Sequence, residues 1–423
     1  MTNTVFERLL RGTLANSLGK VWQLLIQLAT VPIMSHYWGV EGFGIWLMIS
    51  TIPNYLAFSE LGVGAAGAVE MTRLESLEKK TEAVATFNTT WFFLTAITLL
   101  VGLLVSLGTW AWYGLSVDDG RSAFSHTEIA IAIALTICST LMYVQMNIRR
   151  IVFQATNKYA LGIFVQDILF LISSFCVLAS VAMGAGLIEA SLVQFVTRAV
   201  ALLLFSRLQQ RYEPSYRVHF ASFEKDRFLK LLRPSMGAFS LTLANSFGLQ
   251  GVVLTIGWAI SPTAAAIFAT TRMLTRIPMQ FSNLLTRASL PELTRAQVSG
   301  NATLTQKLMK INFGLTLAVM LPAALILSWL GPEILHYMSN GEMSQTHLNF
   351  ALLGLAASLC AIWTTLGTRL ISVNRQSEFS YLALALYALS ALMPFAVGKA
   401  MTPILVALVV ADGLIAFKTW RIK

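Results

Sequence analysis

The stretch TAAAIFATTRMLTRIPMQFSNLLTR, residues 263–287, is long enough to cross a bilayer yet carries Arg272, Arg276 and Arg287. An arginine near the centre of a lipid-exposed helix costs roughly 2.5–3.5 kcal/mol on insertion scales, so such residues normally face water or a partner. At about 100° per residue, Arg272, Arg276, Met279, Asn283 and Arg287 fall within a wedge of roughly 80°. The charges therefore share one face. Pro278, between Arg276 and Asn283, is expected to bend this helix.

The surrounding composition is that of a membrane protein: 56% of the 423 residues are hydrophobic and only 12% are charged. That is about half the charged fraction of an ordinary soluble domain. Uncharged runs such as 83–117 and 234–260 exceed the roughly 20 residues a helix needs to cross the hydrocarbon. Breaks at charged or Gly/Pro-rich segments predict about twelve spans. They fall at 13–37, 42–69, 85–113, 128–148, 160–183, 187–206, 234–259, 263–286, 309–330, 347–369, 379–397 and 401–418. The first apolar run is itself long enough to span and no signal peptide is read before it, so the first helix is expected to stay.

With the N-terminus in the cytoplasm, nearly all loop arginines and lysines fall on one side, and only Arg121 and Lys399 lie clearly outside. The net charge of +10 is thus mostly the positive-inside bias of a multi-pass protein with both termini cytoplasmic. It calls for no nucleic-acid partner. The fold expected is all-α: an N-terminal six-helix lobe over 1–206, a basic cytoplasmic connector over 207–233 and a C-terminal six-helix lobe over 234–423. In the connector, Ser222 can cap an interfacial amphipathic helix that meets anionic membrane lipids.

Other polar residues stand inside the spans. Asn16, Lys20, Gln23 and Gln27 share a wedge of roughly 60° on the first helix, either lining a wet cavity or joining neighbouring helices while Lys20 snorkels. Pro32 is expected to kink that helix. Residues 38–46 read as a tight outer loop, and 73–82 as a mixed-charge cytoplasmic helix. The seventh span carries Asn245, and the second carries Glu60. Asp167 on the fifth span and Arg198 on the sixth either pair with each other or leave Arg198 to a cavity. Asp412 on the last span is either structural or part of an ion relay, and Asp167 is a second candidate for ion coupling. Cys138, Cys176 and Cys360 read as buried apolar thiols. The histidines lack metal-ligand spacing, no cofactor is expected, and no catalytic group is read.

The pattern restarts at Pro234, so both halves enter the membrane in the same direction, as in a parallel-repeat transporter. Together with the Gly-rich join Trp38-Gly39-Val40-Glu41-Gly42-Phe43-Gly44, the amide-bearing first helix and the arginine-bearing eighth, this chain resembles the Wzx-type O-antigen and polysaccharide flippases. These belong to the multidrug/oligosaccharidyl-lipid/polysaccharide (MOP) exporter superfamily. The resemblance implies a central cationic cavity between two lobes in a MATE-like fold. It implies undecaprenyl-diphosphate-linked oligosaccharide as cargo, with Lys20, Arg272 and Arg276 on the diphosphate and anionic sugars. A polysaccharide polymerase and a chain-length regulator are the protein partners it suggests. Two readings compete: a multidrug exporter, whose cationic drugs would want acidic and aromatic walls, and a membrane polysaccharide polymerase or ligase. Against the second, the longest outer loop, 331–346, offers only Glu333, His336 and Glu342. The arginines could also serve only to brace the bundle.

Overall fold

A single residue breaks the first long helix. In the computed structural model, helix α1 (Thr2–Leu56) leaves helical geometry only at Gly39, at φ 68° and ψ 172°. Only glycine reaches that region without a Cβ penalty of roughly 1–2 kcal/mol. The expected nine-residue outer loop is therefore one residue, with helix on either side, and Pro32 sits within continuous helix instead of marking the break.

The structure describes residues 2–56, 63–115, 122–156, 158–218, 240, 242–298, 301–371, 375, 377–398 and 400–422. Inside the helices it leaves aside the side chains of residues 2–21, 52–56, 65, 69, 76, 112–115, 284–292 and 294–298. Glu60, the Ser222 helix, and the side chains of Asn16, Lys20 and Arg287 lie outside the described set.

After α1 come α2 (Val63–Ser76), α3 (Lys80–Leu115), α4 (His126–Ala155), α5 (Tyr159–Ala182) and α6 (Leu187–Tyr212). Helical residues 242–246 run into a π-helical turn, Phe247–Gly251, and on into α7 (Val252–Ala259). Then follow α8 (Pro262–Val298), α9 (Ala302–Met338), α10 (His347–Ile371), α11 (Ser377–Val397) and α12 (Met401–Arg421). No strand occurs among the described residues, and eight of the described helices are long and apolar enough to cross a membrane. Exposed leucines 99, 100, 103, 104 and 107 and Trp110 on α3, and Leu325 and Trp329 on α9, give those helices the apolar outer surface that a lipid solvent requires.

Local signals set the helix starts. Ser125 and Glu128 form a reciprocal capping box at α4. The Asn301 side chain accepts from Leu304 N at 3.0 Å. At α8, the Ser261 hydroxyl accepts from Ala264 N at 3.1 Å and Pro262 takes the first helical position, where its missing N–H costs nothing. The helix continues past Pro278. Residues 73–82 are not one helix: α2 stops at Ser76, Glu78 takes a positive φ of 60°, and α3 starts at Lys80. Arg73–Glu70 and Lys79–Glu82 pair on either side of that turn.

The chain divides into two compact units, Met1–Trp38 with Ile49–Phe239, and Gly39–Met48 with Ser240–Lys423. In the first, α4 packs on α2, α3, α5 and α6. The Trp38 indole donates to Ala185 O at 2.9 Å, tying the end of the first helix to the α5–α6 turn. Lys158 pairs with Glu213 at 2.6 Å just past α6, and Gln209 donates to the Glu213 and Tyr216 carbonyls. The connector's first residues thus fold back: Tyr216 is buried, stands edge-on to Phe87 at 5.7 Å and donates to Glu75. Burial, reinforced by that bond, pushes the Tyr216 phenol above its ordinary pKa.

In the second unit α10 packs on α8, α9 and α12, around buried Phe268, Phe350, Trp363 and Phe379. Gly44 lies against the start of α8, where a Cβ would stand 1.9 Å from Pro262 O. No side chain fits there. The cysteines divide: Cys360 is buried as expected, but Cys138 is exposed on α4 and Cys176 is half-buried.

Candidate functional site

The π turn before α7 shifts the backbone out of α-helical register, and the misplaced carbonyls find a partner in Arg272 of α8. Its guanidinium donates to Gly248 O at 3.0 Å and to Leu249 O, and it lies 4.8 Å from the centroid of the Phe268 ring. Gly248 is required for a second reason. A Cβ there would come within 2.9 Å of the Tyr387 ring, so its absence lets α11 approach the turn.

One helical turn on, Arg276 points at sulfur. Its Nη2 lies 3.4 Å from Cys360 Sγ and 3.6 Å from Met279 Sδ. Cys360 Sγ lies 3.9 Å from the Tyr387 hydroxyl, which donates to Asp412 Oδ1 at 2.5 Å. The Trp363 indole donates to the same oxygen at 2.8 Å. Asp412 is 4% exposed, and no ion pair within 4.0 Å joins it directly to Arg276 among the described residues. A carboxylate held by two donors and facing a guanidinium across a thiol and a phenol forms a closed polar network. Loss of one partner leaves a buried charge uncompensated.

Beside this network is a void of about 20 Å³, lined in part by Gly248, Arg272, Arg276, Tyr387 and Asp412. It has room for one water molecule, which needs about 10–15 Å³, and not for a diphosphate. In this conformation Arg272 is held by backbone carbonyls and Arg276 faces sulfur. The sequence reading placed Arg272 and Arg276 on one face, and the structure brings both to one void together with Asp412. Asn245 and Asn283 are half-buried on the same unit.

The remaining candidates lie in the first unit. Asp167 and Arg198 form no ion pair with each other among the described residues; the cation beside Asp167 is Arg150. Arg198 lies over the Tyr143 and Phe170 rings at 5.7 and 5.9 Å and donates weakly to Ser139 Oγ at 3.4 Å. Aromatic faces, not a carboxylate, hold that cation. Its Nε and Gln194 Oε1 are buried without partners. Gln23 and Gln27 are exposed, and Gln23 shares one crevice with Asp167 and Arg150.

Tyr387 and Trp363 join the site with no role assigned from the sequence, and Cys360, expected only as a buried apolar thiol, also faces Arg276. A tryptophan inside an apolar run, away from a membrane interface, has an N–H that needs an acceptor, and Asp412 was the buried acid available. That signal was present for Trp363. Tyr387, one aromatic in an Ala/Leu-rich span, gave none.

Fold and comparison define the class: a multi-pass membrane transporter with a MATE-like fold. The chain is similar to an inward-facing multidrug resistance MATE family transporter of the MOP superfamily, with a TM-score of 0.75 at 11% identity over 94% of this chain and 93% of that one. The outward-facing conformation of a MATE family transporter matches with a TM-score of 0.65 at 12% identity, over 98% and 93%. A MOP superfamily transporter from Pyrococcus furiosus, described as having a binding pocket of reverse polarity, matches with a TM-score of 0.63 at 13% identity, over 98% and 94%. At such identities the likeness concerns the fold. No curated protein matches in sequence. The family described as polysaccharide biosynthesis protein matches residues 9–297, and the chain belongs to it, a flippase family of the MOP superfamily. That family is one of flippases, not enzymes, which removes the polymerase or ligase reading.

Proposed function

We propose that this protein translocates undecaprenyl-diphosphate-linked oligosaccharide from the cytoplasmic to the outer leaflet of the bacterial inner membrane by alternating access, with both termini cytoplasmic. The observation that carries the reading is the pair Arg272 and Arg276, one turn apart on a 37-residue helix of a chain in a polysaccharide flippase family. A diphosphate-sugar head group cannot cross hydrocarbon unaided, because each unpaired charge costs several kcal/mol or more to bury. Guanidinium forks can hold phosphate oxygens bidentately.

With the void as small as it is, cargo binding requires the arginines to exchange their protein partners for phosphate. A conformational change supplies that exchange, and the π-turn carbonyls and the sulfurs of Cys360 and Met279 are the groups released by it. Lys20, Arg287, Arg198 and the amides Asn16, Gln23, Gln27, Asn245 and Asn283 complete the proposed cargo-facing set. A multidrug cargo fits less well, since cationic drugs and arginines repel. A polymerase and a chain-length regulator are the proposed partners at the outer face.

Moving a dianion outward across an inside-negative membrane gains roughly 4.6 kcal/mol per 100 mV, so a potential alone can drive the step. Exchange for an ion at Asp167 or Asp412 is the other proposed source. Translocation of fluorescent lipid-linked oligosaccharide in proteoliposomes tests both. The reading expects flipping that responds to an imposed potential or ion gradient. Flipping that persists unchanged without either rejects both driving forces, and no flipping under any condition rejects the function.

A further inference from the structure

The first unit carries a crevice of about 240 Å³ between the first helix, α4 and α5, separate from the arginine site. Three amides and a carboxylate face it: Gln23, Asn147, Gln166 and Asp167. Gln166 Nε2 donates to Asn147 Oδ1 at 2.7 Å, which fixes both amides and leaves the Gln166 carbonyl and the Asn147 NH₂ for another partner. Around them stand Trp22, 47% exposed, and Tyr143, 37% exposed. Arg198 braces Tyr143 and Phe170 from cation–π distance, so that aromatic wall is already in position.

Acyl chains do not suit this crevice, because they would leave amides and a carboxylate without hydrogen bonds. A diphosphate does not suit it either. Arg150 and Asp167 offset one another, so the crevice has no net positive charge to hold a dianion. A ring with hydroxyl or acetamido groups on its edges and C–H groups on its faces matches both features, with planar amides and a carboxylate for the edges and aromatic rings for the faces. The volume lies just below the roughly 300–1,000 Å³ of drug-sized sites, which suits one sugar residue better than an oligosaccharide.

We infer that this crevice is a carbohydrate subsite, which binds one neutral or N-acetylated sugar residue of the cargo through Asn147, Gln166 and Asp167 against Trp22 and Tyr143. The inference rests on the proposal that the cargo is a glycan. It adds a place for sugar in the first unit to the place for phosphate at Arg272 and Arg276 in the second.

Saturation-transfer NMR on the purified full-length protein in nanodiscs tests it, with the methyl glycosides of glucose, N-acetylglucosamine and glucuronic acid as probes. Transfer to a neutral or N-acetylated glycoside is expected at roughly millimolar affinity. Asp167→Ala is expected to weaken it about tenfold or more, the value of one hydrogen bond to a charged group, and Asn147→Ala about three- to tenfold, the value of a neutral one. Lys307→Ala, at an exposed position of α9 in the other unit, is expected to leave it unchanged. Melting curves and gel filtration establish that each variant folds, and Trp22→Phe, which keeps an aromatic face, is expected to retain binding. The inference is overturned by transfer to none of the three glycosides, by transfer only to the glucuronide, or by transfer that folded Asp167→Ala and Asn147→Ala proteins leave intact. Glycoside binding without any flipping in proteoliposomes supports the subsite while sinking the proposed function, and intact flipping without glycoside binding sinks the subsite alone.

Discussion

Tyr387→Phe deletes one hydroxyl, and the structure says what that hydroxyl does. It donates to Asp412 Oδ1 at 2.5 Å, sharing that oxygen with the Trp363 indole at 2.8 Å, in a setting where Asp412 is 4% exposed. A hydrogen bond to a charged group is worth about 1.5–3 kcal/mol in soluble proteins, whereas interhelical bonds inside membranes average about 0.6 and reach about 1.7 kcal/mol. The acceptor here is a buried carboxylate beside a void that holds at most one water molecule, so the upper end of the membrane range applies. We expect Tyr387→Phe to destabilise the protein by about 1.5 kcal/mol in reversible SDS unfolding. The second arm is a double-mutant cycle with Asp412→Asn, expected to give a coupling of about 1 kcal/mol. Coupling below about 0.3 kcal/mol, within the scatter of independent sites, would refute the network.

The other predictions address single residues inside each unit. Gly44→Ala forces a Cβ to within 1.9 Å of the Pro262 carbonyl, a backbone atom at the start of α8, so the variant is expected to reach the membrane at strongly reduced levels in quantitative immunoblots. Gly39→Ala meets open space but a φ of 68°, so about 1–2 kcal/mol of destabilisation and near-normal expression are expected, and equal defects in the two would contradict these separate causes. The raised Tyr216 pKa means that its contribution is fully present below the ordinary phenol value of about 10 and is lost as pH climbs through the higher folded value. Melting temperatures are therefore expected to fall above about pH 10, and to fall less in Tyr216→Phe.

Much of the fold was legible because the bilayer demands long apolar helices, and composition reports that demand directly. The arginines of α8 stood out for the same reason: they violate it. What the sequence concealed is mostly a matter of single residues acting on backbone. Trp38–Trp46 looked like a loop because it is rich in glycine, but only Gly39 leaves the helix, while Gly44 answers a contact with Pro262, more than 200 residues on. The π turn at Phe247–Gly251 has no periodic signature at all. Asp167 and Arg198 were natural partners by charge, yet Arg198 rests on aromatic rings, which pattern alone does not pair with a cation. The donors to Asp412, Trp363 and Tyr387, come from two other helices, so no spacing along the chain links them to it.

Anion capture on α8 is the claim on which the account turns, and lipid-linked oligosaccharide translocation in cells tests it directly. The variants are Arg272→Ala, Arg276→Ala and lysine at each position, with membrane levels checked by immunoblot. The account predicts lost flipping at normal protein levels in the alanine variants and partial rescue by lysine, which keeps the charge but not the fork. Normal flipping in both alanine variants would contradict it and leave the arginines as braces of the helix bundle.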